Sequence, residues 1–101
     1  MIHVVASIQV KNSCLDEFLE ILRSNIPNVL AEEGCVEYIP TMDFRTDLPT
    51  QDLDANRITI IEKWHSFQHL KTHLSAPHML DYRSKSKDLV QSVSLKVLES
   101  A

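Results

Sequence analysis

The apolar residues of this chain switch between a period of two and a helical period, and the order of those switches limits the fold more than any single residue does. Ile2, Val4, Ala6, Ile8 and Val10 alternate with His3, Val5, Ser7 and Gln9, the pattern of a strand. Its second face mixes polar and apolar groups and suits either a cavity wall or solvent. Asn12 and Ser13 supply helix-start chemistry. Ser13 with Asp16 forms a weak capping box, and Asp16 and Glu17 suit the positive helix end. Leu15, Phe18, Leu19, Leu22, Ile26, Val29 and Leu30 then recur at helical spacing. Pro27 removes a backbone donor and predicts a kink or break near Ser24. Gly34, the only glycine, fits the left-handed position after a helix end.

Cys35 to Phe44 reads as a second strand, with Val36, Tyr38 and Met42 on one face and Cys35, Ile39 and Thr41 on the other. Pro40 suggests an edge or a bulge. The polar stretch Arg45 to Asn56 is a loop. Arg57 to Trp64 is a third strand whose isoleucines occupy both faces, which predicts cover on both sides. Ser66 caps a short helix carrying Phe67, Leu70 and Leu74, Ser75 and Pro77 open another, and Gln91 to Glu99 closes the chain as a strand. The order is that of an α+β, ferredoxin-like βαββαβ unit with a four-stranded antiparallel sheet, one domain over residues 1–101. Helices on one side leave the other sheet face to water or to a partner. The apolar alternation favours an isologous homodimer.

A net charge of −4 with scattered Lys and Arg offers no cationic footprint for nucleic acid. No apolar run approaches the ~20 residues that span a bilayer, so no membrane role is expected. Met1 to Val10 lacks a basic leader region and a cleavage site, which favours a cytoplasmic location. Cys14 and Cys35 then read as reduced thiols. With one glycine there is no phosphate-cradling loop and no dinucleotide fingerprint, so flavin or nicotinamide has no evident seat and no cofactor is expected.

Four of the five histidines lie between positions 65 and 78. His65, His69 and His73 recur at every fourth position, but His65 and His73 would stand about 12 Å apart along a helix, too far for one ion. Only a pair such as His69 and His73 remains, and zinc wants a third protein ligand, so no metal site is expected. His65 and His69 read as a solvated face. His73 and His78 are the candidate general bases, because imidazole titrates near neutrality. Glu62 shares a strand face with Trp64 and Ile60. It is either a buried carboxylate of raised pKa or partner to a histidine, or a surface ion pair with lysine. Trp64 is a core residue or an aromatic wall against a flat substrate. Tyr82 is placed to hydrogen-bond a carbonyl, Ser7 is a candidate substrate contact on the first strand, and Arg83 reads as a surface charge.

Glu33-Gly34-Cys35 followed by Tyr38 resembles the E-x-G-C-x-x-Y turn of antibiotic-biosynthesis-monooxygenase domains. Glu62-Lys63-Trp64, then Leu70, His73, Leu74, Pro77 and His78, resembles their E-x-W … L-x-x-H-L … P-H stretch. The likeness covers nearly the whole chain. It implies a dimeric α+β barrel of two facing sheets, with a pocket between helices and sheet. It also implies a small-molecule substrate and, in many members, oxygenation without metal, flavin or nicotinamide. The haem-degrading branch uses an Asn on the first strand. Ser7 and Gln9 stand here instead, which argues against haem degradation. The activity expected is a cofactor-independent monooxygenase (an oxidoreductase) for a quinol- or anthrone-like reduced aromatic. The alternatives are proton-shuttle isomerisation of a small carbonyl compound, as in the autoinducer-2 branch, and a non-catalytic dimeric binding domain.

Overall fold

The alternation of the first strand is spent on one side of a sheet. The computed structural model describes all 101 residues. In chain order the elements are β1 (Ile2–Val10), α1 (Leu15–Leu30), β2 (Cys35–Met42), β3 (Arg57–Trp64), α2 (Phe67–Leu74), α3 (Pro77–Ser86), a 3-10 turn (Lys87–Leu89) and β4 (Val90–Leu98). β1 pairs antiparallel with β3 on one side and β4 on the other, and β2 pairs antiparallel with β3, giving the order β2-β3-β1-β4. This is the ferredoxin-like α+β plan expected from the spacing. No helix is long and apolar enough to cross a membrane.

Register decides which side chains meet. Val4 lies opposite Glu62, Ala6 opposite Ile60 and Ile8 opposite Ile58, all buried on the helix-covered face. Phe18, Leu22 and Val29 of α1, Leu70 of α2, and Met79 and Tyr82 of α3 complete one core over that face. Each such side chain contributes about 1.5–3 kcal/mol by leaving water. The molecule is a slab of 37 × 36 × 19 Å, the thickness of one helix layer on one sheet. β3 is covered on one side only in the single chain: Ile58 and Ile60 are buried, whereas Ile61 is 42% exposed on the open face with Ile39.

Four local expectations change. The break near Ser24 does not occur: α1 runs unbroken through Pro27, which forfeits its own bond to the Arg23 carbonyl while the helix continues to Leu30. Ser13 does not cap α1. It adopts a left-handed φ of 67° and Cys14 takes the cap position without a side-chain hydrogen bond, while Asp16 and Glu17 occupy the first turn as expected. Gly34 lies beyond the helix end proper, at the third position of a turn closed by Cys35 N–H donating to Glu32 O at 3.2 Å. Its φ of 83° is what a type II turn demands there. Immediately after it the ladder skips Val36, so Cys35 pairs with Trp64 and Tyr38 with Glu62. That bulge puts Cys35 and Tyr38 on the same face and turns Val36 outward, opposite to simple alternation.

The segment between β2 and β3 carries no helix or strand but is tied together. The Arg57 guanidinium reaches Asp52 at 2.9 Å and Asp43 at 3.5 Å, and Asp43 accepts from Asp54 N–H at 2.8 Å.

Candidate functional site

Three elements converge beneath the helix layer at the Trp64 end of the sheet. β3 presents Glu62 and Trp64 on its covered face, and the bulge in β2 brings Tyr38 beside Glu62. α2 begins at Ser66, whose hydroxyl accepts from His69 N–H at 3.2 Å. The phase set by that cap turns Leu70 and His73 inward. His73 is 1% exposed and Trp64 fully buried, with ring centroids 4.6 Å apart. Tyr38 meets His73 edge-on at 5.8 Å.

The histidine is oriented by a residue from the other end of the fold. His73 Nδ1–H donates to Glu32 Oε2 at 2.6 Å, which leaves its Nε2 as the basic nitrogen. Burial holds the His73 pKa below its ordinary value against the opposing pull of Glu32, so the ring is kept neutral. The same Glu32 oxygen lies 3.3 Å from Nε2 of His78 on α3. His78 Nδ1 faces Asn25 Oδ1 of α1 at 3.1 Å.

Glu62 is a buried carboxyl, as one reading of the sequence held, but its partner is neither histidine nor lysine. The Trp64 indole N–H donates to Glu62 Oε1 at 3.0 Å. Burial pushes the Glu62 pKa up to about 7; the indole bond pulls it down and the Glu32 charge adds to the rise. Burial also raises both phenols, Tyr38 strongly and Tyr82 to about 12, so both remain hydrogen-bond donors at neutral pH.

Next to this cluster a cleft of about 620 Å³ opens between α3 and the sheet. Ala6, Ile8 and Ile60 form its floor, Tyr38 and Tyr82 line it, and Val93 and Leu95 of β4 extend it past the helices. The size falls within the range of small-molecule sites. His73 and Trp64 do not line the cleft. They pack behind Tyr38.

Ser7 is not part of this assembly. It pairs with Thr59 and Ser94 on the open face, on the opposite side of the sheet from the cleft. His78 lines a separate polar groove between α1 and α3. His65 is exposed, and His69 bonds Ser66 Oγ through Nδ1 at 2.7 Å while packing against Gly34. No three His, Cys, Asp or Glu side chains converge as a metal site. Arg83 is exposed, donates to Leu74 O and borders the cleft. Two members went unseen in the sequence, Glu32 and Asn25, because their partners lie 41 and 53 residues away. One signal for Glu32 existed: in an E-x-G-C-x-x-Y pattern ending at Tyr38, the glutamate falls at position 32.

Residues 1–85 match the family described as antibiotic biosynthesis monooxygenase, and the chain belongs to it. It is 33% identical over 105 aligned residues to the Escherichia coli K12 protein named "Probable quinol monooxygenase YgiN", covering 98% of this chain and 97% of that one. Among solved structures it superposes on a conserved protein of Methanosarcina mazei with a TM-score of 0.85 at 23% identity, covering 99% of this chain and 92% of that one. A structure titled as an antibiotic biosynthesis monooxygenase also gives a TM-score of 0.85, at 19% identity, with 100% and 99% covered. At those identities the structural likeness speaks for the fold alone.

Proposed function

We propose that this protein is a cofactor-independent monooxygenase that oxygenates a reduced aromatic substrate, a quinol or an anthrone-like phenol. The observation that carries the reading is the apolar cleft ending at Tyr38, with a neutral, Glu32-oriented histidine behind it. An apolar slot of this size suits a flat ring system better than the small polar carbonyl compound of the isomerase alternative. The resemblance to a relative named as a quinol monooxygenase points the same way.

In this scheme His73 Nε2 takes a phenolic or activated C–H proton, reached through a modest shift of Tyr38. The resulting anion gives one electron to O2, and the radical pair recombines to a peroxide. Taking back a proton and losing water leaves one oxygen atom on the ring and the other in water. The protein contributes proton transfer, a water-poor cleft and orientation. Tyr38 and Tyr82 offer hydrogen-bond donors to substrate oxygens, and Glu62, poised near neutrality, is a second proton site beside Trp64.

The protein works as a homodimer in this reading. The open sheet face carries Ile39, Ile61 and Leu98 among polar groups, an arrangement suited to meeting the same face of a second copy.

The test is oxygen uptake by purified, metal-free protein against a panel of quinols and anthrones, beside His73→Ala. Uptake that requires the protein and falls about 100-fold or more in the variant is expected for loss of a general base. No uptake across the panel, or full activity in the variant, would refute the scheme.

A further inference from the structure

We propose that Glu32 and His78 form a proton relay that connects buried His73 to the polar groove between α1 and α3. The relay rests on the reading of His73 as the base and deepens it. The groove has a volume of about 580 Å³ and is lined by Ser24, Asn25, Asn28, His78, Asp81 and Lys85 among others. The only residue it shares with the apolar cleft is Tyr82. The two compartments therefore approach the buried cluster from different directions, one dry and one polar.

Hydrogen-bond directions inside the cluster are fixed by a chain of donors. Asn28 Nδ2 donates to Asn25 Oδ1 at 3.1 Å, so that oxygen is an acceptor and the His78 Nδ1 facing it carries the hydrogen. In the neutral ring, the form able to receive a proton, His78 Nε2 then bears a lone pair. It is buried, makes no hydrogen bond, and faces Glu32 Oε2 across 3.3 Å. Two lone pairs opposed in a buried site repel, and a proton arriving on either atom satisfies both. Glu32 Oε2 is the same atom that His73 Nδ1–H reaches at 2.6 Å. One carboxylate oxygen thus joins a buried imidazole to one that borders solvent. The charged groups facing the relay are Arg83 near His73, and Asp81, Lys85 and Glu20 along the groove.

The chemistry gives the relay a purpose. An electron-rich anion must persist long enough to meet O2, and a protonated His73 beside it returns the proton at once. Passing the Nδ1 proton to Glu32 Oε2, and from there to His78 Nε2, leaves His73 neutral and holds the charge one side chain further away. The proton returns by the same path to the peroxide, or exchanges with water in the groove. No electrons move in the relay.

Exchange of the His73 Nδ1–H with water, measured by 15N NMR on the free protein at fixed pH, tests this without a substrate. His78→Gln keeps a polar side chain in the groove but cannot take up and pass on a proton, and is expected to slow exchange roughly tenfold or more. Ser24→Trp, at an exposed position on α1, plugs the groove without touching the cluster and is expected to slow it as well. Leu95→Trp fills the apolar cleft instead and is expected to leave exchange unchanged. Unchanged exchange in His78→Gln with the His73 ring shifts intact would overturn the relay, as would a cleft plug that slows exchange more than the groove plug. If His78→Gln disturbs the His73 shifts, the two plugs decide. In turnover, His78→Gln is expected to lower kcat with KM unchanged and to regain activity with added imidazole. Should the wild-type protein consume no oxygen, the oxygenase scheme falls while the exchange result still judges the relay.

Discussion

Glu62→Gln is expected to stabilise the protein, and to do so only at high pH. The Glu62 side chain is 5% exposed, and burial lifts its pKa from 4.5 to about 7. In the unfolded chain the carboxyl ionises near its ordinary value, whereas the folded protein retains the proton until about pH 7. Between those values the folded state binds more protons than the unfolded state, so stability falls as pH rises. The stability is fully present below pH 4.5, is lost as pH rises through about 7, and stays lost above it. The difference corresponds to about 3 kcal/mol, at roughly 1.4 kcal/mol per tenfold change in proton affinity. Glutamine mimics the protonated acid in size and keeps an oxygen for the Trp64 indole, so the variant never meets this cost. At pH 8 it is expected to melt about 10–20 °C above wild type for a domain of this size. At pH 4.5 the two are expected to melt together. The assay is thermal unfolding of both proteins across that range at one protein concentration. Comparing the pair removes the contributions of every other titrating group. A difference in Tm that does not grow with pH, or a less stable variant at pH 8, would refute the argument that Glu62 is a desolvated carboxyl.

Two further outcomes follow from the fold. Gly34→Ala places a Cβ on a residue of φ 83° and drives it into the His69 side chain, whose own Cβ would lie 2.7 Å away with the ring carbons Cγ and Cδ2 nearer still. The left-handed conformation alone costs about 1–2 kcal/mol, so a lowered Tm is expected and an unchanged melting curve would contradict the close approach. Ile61→Glu puts a charge at the centre of the open sheet face and is expected to halve the sedimenting mass, while a variant that sediments like wild type would show that this face is not the dimer contact.

Much of the framework was legible because it depends on short-range periodicity. The alternation of β1, the apolar stripe from Phe18 to Val29 and the proline opening α3 each describe one element facing one core. The departures come where one residue shifts phase. Val36 is an extra residue in an edge ladder, and nothing in Cys-Val-Glu-Tyr announces that alternation fails there. Yet that slip is what places Tyr38 beside Glu62. Ser7 illustrates a different limit: alternation sorted the two faces of β1 correctly, but which face meets the helices depends on the rest of the chain. The histidines were visible as candidates, whereas their organiser, Glu32, is joined to them only by tertiary contact. Trp64 and Glu62 lie two residues apart and share a strand face, and their mutual hydrogen bond satisfies both in a dry site without a histidine.

The two margins of the sheet are unlike. β2 lies at one edge and carries Pro40, which in a ladder must turn its nitrogen outward, and the Val36 slip distorts the same margin. β4 lies at the other edge with nine residues and no proline. Backbone-to-backbone growth is therefore one-handed. An added strand would find an uninterrupted row of donors and acceptors only along β4, so any extension of the sheet by backbone pairing has one direction open to it.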